Sequence, residues 1–269
     1  MPELPDVEVF KRLFDQHALA KTIHQVIIKD ARILSGVNQH RFVDEIAGWR
    51  FEQTRRHGKH LFAKLHNDCW LAMHFGMSGG LSFFETPAEE PPYTRVRFDF
   101  ANGNHLAYTS RRMLGRLGLT ADVAAFIRDR GLGPDALDPR LDMAAFSIAL
   151  KGHRTTLKAL LINQSVIAGI GNIFADEILF QAGLDPHLRV QDLTPSERQS
   201  LFQSMKAVLE TAVACQAGAE QFLERLPHDY LLPHRRGGGH CPRCQGLLSV
   251  AKIGGRSSYF CPRCQRRDE

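Results

Sequence analysis

The chain ends in two Cys-Pro-Arg-Cys motifs, Cys241 to Cys244 and Cys261 to Cys264, separated by sixteen residues. Each motif can direct two sulfurs to one metal ion, and tetrahedral Zn²⁺ needs four such ligands. The intervening segment is long enough for a hairpin that returns the second pair to the first. A module of this size buries too little apolar surface to fold alone, so we predict one structural zinc ion. Two disulfides are the alternative, which paired CxxC spacing without a secretory signal disfavours.

The residues around these cysteines are strongly basic. From His234 to Glu269 the sequence has eight Lys and Arg residues against two acidic ones, whereas the whole chain carries a formal net charge of +5. The residues before His234 are therefore close to neutral, and the positive charge is concentrated on the predicted zinc module. A basic zinc ribbon neutralises phosphates, which indicates a nucleic acid partner. A basic tail that only increases solubility is the alternative.

A glycine-containing sequence from Ala168 to Asn172 is a second candidate for anion binding. It lies between a predicted helix that ends near Gln164 and another from about Ile173 to Ala182. We predict that Asn172 caps the second helix. Glycines expose backbone N–H groups and a helix N-terminus carries positive partial charge, so the turn can hold a phosphate. A tight turn that needs glycine for steric reasons explains the spacing equally well.

The elements that must position these residues change character near residue 130. Residues 5–17 repeat apolar positions at helical spacing and predict an amphipathic helix. Six strand-like runs separated by glycine, asparagine and proline follow it and predict a β-sandwich or barrel. These runs are 25–28, 61–65, 71–75, 81–84, 96–100 and 105–108. Residues 129–140 are interpreted as a linker, and 143 to about 226 are predicted to be helical.

Length and composition fit a globular chain of 269 residues with 43% hydrophobic content, enough for two sizeable domains and a metal module. The N-terminus has no signal-peptide pattern, and no apolar run approaches the roughly 18 residues of a membrane span. We therefore expect a cytoplasmic protein outside the membrane. Cys69 and Cys215 lie in apolar sequence, which is typical of buried thiols in a reducing compartment.

Several motifs, in order along residues 2 to 265, together resemble the formamidopyrimidine-DNA glycosylases and their relative endonuclease VIII. The motifs are Pro2 to Glu8 (PELPDVE), Gly58 to His60 (GKH), His74 to Gly79 (HFGMSG), Asn163 to Phe180 (NQSVIAGIGNIFADEILF) and Gly254-Gly255-Arg256. The resemblance implies an α+β multidomain protein: a catalytic β-sandwich with a leading helix (1–131), a helix-two-turn-helix domain (132–233) and a four-cysteine zinc finger (234–269). It also implies a monomer that holds damaged double-stranded DNA in a cleft between its two halves.

The resemblance gives the N-terminus a chemical role. Removal of Met1 would leave Pro2 as a secondary amine that is substantially unprotonated at neutral pH. Its attack on the sugar C1′ gives an iminium ion, an electron sink for expelling the 3′ and then the 5′ phosphate. By the same resemblance Glu3 is the general acid/base and Lys59 approaches the phosphate of the lesion. The implied activity is that of a bifunctional glycosylase and abasic-site (AP) lyase. A non-catalytic damage-binding protein and a zinc-ribbon RNA-binding protein are the alternatives.

The resemblance also supplies DNA-binding candidates. Asn172 and Arg256 correspond to the phosphate clamp of the family, which would help to evert one nucleotide, and Lys158 is a further phosphate candidate. Met77 matches one of the family residues that fill the space left by the everted base. The family's glycosylase branch typically has Arg-Arg-Phe-Gly nearby, whereas this chain has Arg111-Arg112-Met113-Leu114-Gly115, so the aromatic wedge is absent.

Two further departures concern lesion choice. The segment 217–236 looks shorter than the region that, in many relatives, contains a loop over 8-oxoguanine, and Asp6 stands where the family often has glutamate. We therefore expect weak excision of 8-oxoguanine relative to ring-opened purines or oxidised pyrimidines, whose weaker stacking or pairing lowers the cost of base flipping.

Overall fold

The computed structural model describes residues 1–265, so Arg266 and Arg267 of the predicted basic segment lie outside the described residues. The chain forms two compact units. The first contains Met1–Pro2 and Asp6–Gly131, and the second contains Glu3–Pro5 with the chain from Leu132 onward. A three-residue segment at the start of the chain is thus part of the second unit.

The first unit is built on two four-stranded antiparallel sheets, with strand orders β1-β6-β7-β5 and β2-β3-β4-β8. The strands are β1 (Ile23–Ile28), β2 (Phe51–His57), β3 (His60–Leu65), β4 (Trp70–His74), β5 (Gly79–Phe84), β6 (Thr94–Phe100), β7 (His105–Ser110) and β8 (Arg116–Thr120). Buried side chains from both sheets form one core, which includes Phe51, Met73, Phe98 and Tyr108. The predicted β-sandwich is confirmed.

Three helices accompany these strands: α1 (Leu4–His17), α2 (Gln39–Ile46) and α3 (Val123–Asp129). Val7 and Phe14 of α1 are fully buried in the sandwich core, as the helical spacing of its apolar residues predicts. The six predicted strands are present. Strands β2 and β8 were not predicted, and the turn between β2 and β3 is only Gly58-Lys59.

The second unit is helical and carries a two-stranded hairpin. Its elements are α4 (Met143–Leu150), α5 (Leu157–Leu161), α6 (Asn172–Ala182), α7 (Pro195–Ala214), β9 (Ser249–Ile253) and β10 (Arg256–Phe260). Helix α6 packs against α5, α7 and β10, and every residue from Ile173 to Phe180 is buried. Gly183 ends α6 with a left-handed φ of 72°, a conformation that glycine adopts without steric cost. The predicted helix near Gln164 ends earlier, at Leu161.

Within residues 1–265, no helix is both long and apolar enough to cross a lipid bilayer.

Candidate active site and nucleic-acid interface

The carboxylate of Glu3 lies at the N-terminus of α6 and is fully buried in the second unit. One oxygen accepts hydrogen bonds from the backbone N–H groups of Gly171 (2.7 Å) and Phe174 (3.2 Å), and the other accepts from Ile173 (2.9 Å). These N–H groups have no acceptor inside the helix, and the helix dipole favours a negative charge at this end. The side chain of Glu3 is therefore held in one orientation by three donors.

The two glycines of the 168–172 turn make room for this arrangement. A Cβ on Gly171 would lie 2.3 Å from the carboxyl carbon of Glu3, and one on Gly169 would lie 2.6 Å from the Leu4 side chain. Gly169 also has a φ of +116°, which residues with a side chain rarely adopt. Its carbonyl accepts the Leu4 N–H at 3.0 Å. The steric interpretation of these glycines is thus correct.

Two predictions about this turn are wrong. The residue that caps α6 is Gly171, not Asn172, and no side chain of its own segment caps the helix. The N–H groups expected to hold a phosphate instead bind the Glu3 carboxylate. Local sequence shows an anion site but not which anion fills it, and here the anion comes from the start of the chain.

Asn172 contacts the zinc-module hairpin instead. Its side-chain Nδ2 donates to the carbonyl of Ser257 at 3.1 Å, and a second N–H on the same nitrogen is available for another acceptor. Ser257 follows Arg256, which is exposed at the start of β10. The turn before it, Gly254-Gly255, has positive φ at both residues, as type I′ hairpin turns require. The structure thus brings Asn172 next to the strand that carries Arg256.

Lys158 is fully buried, so the prediction that it contacts a phosphate directly needs correction. Its Nζ donates to the carboxylate of Asp176 and to the backbone carbonyl of Asn172, both at 2.5 Å. Burial lowers the pKa of Lys158, and the nearby Asp176 carboxylate opposes that shift. Lys158 lies behind Asn172 and supports it from inside the protein.

The four cysteines of the two motifs converge as predicted. The sulfurs of Cys241, Cys244, Cys261 and Cys264 all lie within 4.8 Å of one another, with 3.7 Å between Cys241 and Cys264 and 3.4 Å between Cys244 and Cys261. A zinc ion with Zn–S distances of about 2.3 Å requires sulfurs roughly 3.8 Å apart, so the four ligands fit one tetrahedral Zn²⁺.

This metal centre is attached to the far end of α6. Phe180 of α6 shares a buried cluster with Cys241, Cys261, Leu231 and Leu248. The side chain of Gln265 accepts the Cys261 N–H at 2.8 Å and donates to the Leu184 carbonyl at 2.9 Å. Zinc binding would therefore stabilise the packing around this helix as well as the hairpin.

In the first unit, Lys59 occupies the two-residue turn between β2 and β3 and is only 8% exposed. Beside it are His60 and His74, whose rings lie 4.9 Å apart on neighbouring strands. Burial, followed by the His74 imidazole, lowers the pKa of His60 to about 3. Burial, followed by the positive charge of Lys59, lowers the pKa of His74 to about 4, so both imidazoles are neutral at pH 7.

His74 was not singled out as a site residue by the sequence. The backbone N–H of Gly76 donates to its Nδ1 at 3.3 Å, which leaves the proton of the neutral ring on Nε2. This nitrogen can donate a hydrogen bond, and the Lys59 ammonium group is near enough to lower the pKa of the ring. A histidine that is neutral and fixed in one tautomer carries no signal in the sequence, because burial and neighbouring cations keep the ring neutral and the Gly76 N–H fixes its tautomer.

Two loops of the first unit present apolar and basic side chains together. The Arg112 N–H donates to the Ser78 hydroxyl at 3.0 Å, and a Cβ on Gly76 would touch the Leu114 backbone at 2.4 Å. Met77 is 41% exposed and Leu114 is 46% exposed, and Arg111 is exposed too. Met113, in contrast, packs against the sandwich core with a left-handed φ of 56°. Met113 and Leu114 stand where the family typically has the phenylalanine, and Leu114 is the more accessible of the two.

Comparison with known proteins agrees with this geometry. Family models match the formamidopyrimidine-DNA glycosylase N-terminal domain over residues 1–117, its H2TH domain over 132–223, and the zinc finger found in FPG and IleRS over 238–267. The chain belongs to the formamidopyrimidine-DNA glycosylase family, and the resemblance and fold predicted from its motifs are confirmed.

Individual relatives match over nearly the whole length. The chain is 34% identical over 280 residues to the formamidopyrimidine-DNA glycosylase of Heliobacterium modesticaldum, covering 99% of this chain and 100% of the relative. It is 36% identical over 252 residues to that of Moorella thermoacetica, covering 91% and 92%. A solved structure of the Lactococcus lactis enzyme, non-covalently bound to DNA containing an AP site, has a TM-score of 0.89 at 25% identity, covering 98% of this chain and 100% of that one.

Proposed function

We propose that this protein is a base-excision repair enzyme that acts on damaged double-stranded DNA. It removes oxidised or ring-opened bases as a glycosylase and cleaves the strand at the resulting abasic site as a lyase. Its relatives are formamidopyrimidine-DNA glycosylases, and similar structures hold DNA with an AP site or a substituted Fapy-dG. The observation in this chain that carries the proposal is the Glu3 carboxylate, held by three backbone donors directly after the candidate nucleophile Pro2.

The chemistry begins with removal of Met1, which frees the secondary amine of Pro2. Its nitrogen forms a bond to C1′ as the bond from C1′ to the base breaks, and the base leaves with a proton. The amine then loses its own proton, and the sugar ring opens: the bond from C1′ to O4′ breaks, O4′ takes up a proton and C1′ becomes an iminium ion. This ion withdraws electrons, so that loss of a proton from C2′ expels the 3′ phosphate. Glu3 relays these protons because its position beside Pro2 is fixed by α6. Water then hydrolyses the iminium and releases the enzyme.

Phosphate contacts come from both units in this proposal. In the second unit, the amide of Asn172 and the guanidinium of Arg256 bind neighbouring phosphates from adjoining positions. In the first unit, Lys59 and the Nε2–H of His74 bind a phosphate together. We assign Lys158 a supporting role behind Asn172. We also propose domain limits at 1–131, 132–233 and 234–269, and a monomeric protein in the cytoplasm.

The exposed loop residues are proposed to enter the DNA stack. Met77 and Leu114 offer apolar surface for the space that the everted base leaves, and Arg111 and Arg112 bind around the opposite strand. An aliphatic wedge gives little of the stacking that an aromatic ring provides. We therefore propose that this enzyme reads the opposite base less strictly and prefers ring-opened purines or oxidised pyrimidines over 8-oxoguanine.

Covalent trapping tests the proposed function. Borohydride should reduce the iminium and link the protein to DNA that contains an abasic site, provided that mass spectrometry shows Met1 to be absent. A variant with an uncleaved N-terminal extension has no free amine at Pro2 and should give no covalent product. A Pro2→Gly variant, once processed, should keep weaker primary-amine chemistry. This control distinguishes loss of the nucleophile from loss of the fold.

Two results would count against the proposal. Equal trapping by the extended variant would move the nucleophile elsewhere, most directly to Lys59. Tight binding of abasic DNA by the processed wild-type protein without trapping or strand cleavage would indicate the alternative, a non-catalytic damage-binding protein of the same fold.

A further inference from the structure

Asp176 is a buried carboxylate on α6, 1% exposed, with three donors from different parts of the second unit. One oxygen accepts from the Nζ of Lys158 on α5 at 2.5 Å. The other accepts from the Nε of Arg235, in the segment before the zinc motifs, at 2.8 Å and from the backbone N–H of Tyr259 on β10 at 3.2 Å. One side chain thus joins two helices, the segment that leads to the zinc module and the hairpin.

The partners of Asp176 also hold the candidate phosphate ligands. Lys158 donates to the backbone carbonyl of Asn172. Arg235 donates to the Ser257 carbonyl at 3.3 Å, the same oxygen that accepts from the Asn172 side chain. The residue before Ser257 is Arg256. Besides the direct bond from Asn172 to Ser257, the relative position of Asn172 and Arg256 is therefore supported by contacts that pass through one carboxylate.

The charges make this carboxylate difficult to replace. Lys158 is fully buried and Arg235 is mostly buried, so two cations share one anion. Loss of one partner of a buried ion pair leaves an uncompensated charge that must move toward solvent. Movement of Lys158 would release the carbonyl of Asn172, and movement of Arg235 would release Ser257. Both changes act on the phosphate ligands rather than on Glu3, which is held by its own three donors.

The neighbouring residue provides a comparison. Glu177 is also fully buried, but its oxygens accept from the backbone N–H groups of Leu231 and Leu232 and from Gln181. None of these contacts reaches the β9–β10 hairpin or Asn172. Two adjacent buried carboxylates on α6 thus support different parts of the unit.

We infer that Asp176 is a positioning residue for DNA binding, which fixes Asn172 and the Arg256 hairpin as one preformed phosphate-binding group. This inference rests on the proposed function and adds a residue to it. A preformed group binds more tightly because the cost of ordering its side chains is met on folding. Asp176 itself touches no DNA in this scheme, so its removal should change affinity and leave the chemical step intact.

The test uses the full-length zinc-loaded protein and a duplex with a tetrahydrofuran abasic analogue, which cannot be cleaved. Asp176→Asn should weaken binding about tenfold, within the range by which residues remote from a ligand modulate affinity. The slope of log affinity against log salt should become less steep by the amount that corresponds to about one phosphate contact. The single-turnover lyase rate at saturating protein on a true abasic site should stay within about twofold of wild type, a split that general loss of fold would not produce.

Glu177→Gln is the matched control and should leave affinity and the salt slope unchanged. Arg235→Gln keeps the buried Lys158–Asp176 pair and should also weaken DNA binding. This variant tests the inference if Asp176→Asn fails to give folded protein with one zinc per chain. Wild-type affinity in folded, zinc-loaded Asp176→Asn, or in Arg235→Gln where the first variant does not fold, would overturn the inference. Failure of the wild-type protein to bind or cleave abasic DNA would instead overturn the proposed function.

Discussion

Glu3 in the second unit and Leu114 in the first are positioned in opposite ways. Glu3 is fully buried and bound by three backbone donors, with a glycine at 171 that leaves space only for its carboxylate. Leu114 is 46% exposed, and the close contact of its loop with Gly76 is through the backbone. Glu3 is therefore held in one position, whereas Leu114 projects into solvent.

This difference matches the roles proposed for the two side chains. Proton transfer requires a group within hydrogen-bond reach of a defined atom, so a buried and fully bonded carboxylate is suitable. A wedge has to enter a base stack, so its apolar surface must be free before DNA binds. Substitutions of the exposed Leu114 are therefore expected to leave the fold intact and to change DNA binding. Substitutions around Glu3 are expected to alter the geometry of the proposed reaction.

The largest effect on activity is expected from a substitution beside the buried Glu3. Gly171→Ala places a Cβ 2.3 Å from the carboxyl carbon of Glu3 and forces that side chain out of its site. A displacement of about 1 Å costs on the order of 10²-fold in rate, so single-turnover glycosylase activity should fall by at least that factor. Rates measured at saturating protein separate this loss from weaker binding.

The control for this substitution is Gly237→Ala, where the added Cβ meets nothing within 4 Å and the backbone φ is not left-handed. It should retain wild-type activity. Normal activity of a folded Gly171→Ala protein would show that the contact between Glu3 and α6 is not required for catalysis.

Features of both units could be predicted where the sequence signal is local. The paired CxxC motifs predict the cluster of four sulfurs, because each motif sets its own geometry. Strand-like runs separated by glycine, asparagine and proline predict six of the eight sandwich strands, and the sixteen residues between the two cysteine motifs predict the hairpin that carries Arg256. These features depend on residues close together in the chain.

The remaining features depend on contacts between distant residues. The donors at the start of α6 were predicted, but their acceptor is about 170 residues away in sequence, so Asn172 was wrongly assigned as the cap. Lys158 was predicted to face DNA, yet the packing of α5 on α6 turns it toward Asp176. A carboxylate such as Asp176 has no local motif, because its role is created by three donors that only the fold assembles.

The stability of the two units is expected to change with pH in opposite directions. In the first unit, His60 and His74 have folded pKa values of about 3 and about 4, below the unfolded value of about 6.5. The unfolded state therefore binds more protons, and stability is lost as pH falls below 6.5, by about 2 kcal/mol for each histidine at pH 5. In the second unit, burial raises the pKa of Glu177 to about 7, so stability should rise by about 2 kcal/mol between pH 7 and pH 5.

The two units can be followed by different signals. Both tryptophans, Trp49 and Trp70, lie in the first unit, so their fluorescence reports its melting, while far-UV circular dichroism reports mainly the helices of the second. His60→Phe should flatten the fluorescence-detected pH dependence, and Glu177→Gln should flatten the dichroism-detected one. The same pH dependence in wild type and variant would show that the group in question is not buried in the form described.

The smallest effect, a change in DNA affinity, is expected from substitutions of the exposed Leu114. Leu114→Phe should bind abasic-analogue DNA several-fold more tightly, since aromatic stacking on a base contributes about 1–3 kcal/mol and part of the leucine contact is lost. Leu114→Ala should weaken binding a few-fold, while Met113→Ala, which opens space beside the sandwich core, should lower thermal stability without changing affinity. The phenylalanine variant should also gain relative activity on 8-oxoguanine opposite cytosine, because a stacked ring supports the duplex around the everted base. If Met113→Ala reduces affinity and Leu114→Ala does not, the wedge is Met113, and its left-handed backbone must change when DNA binds.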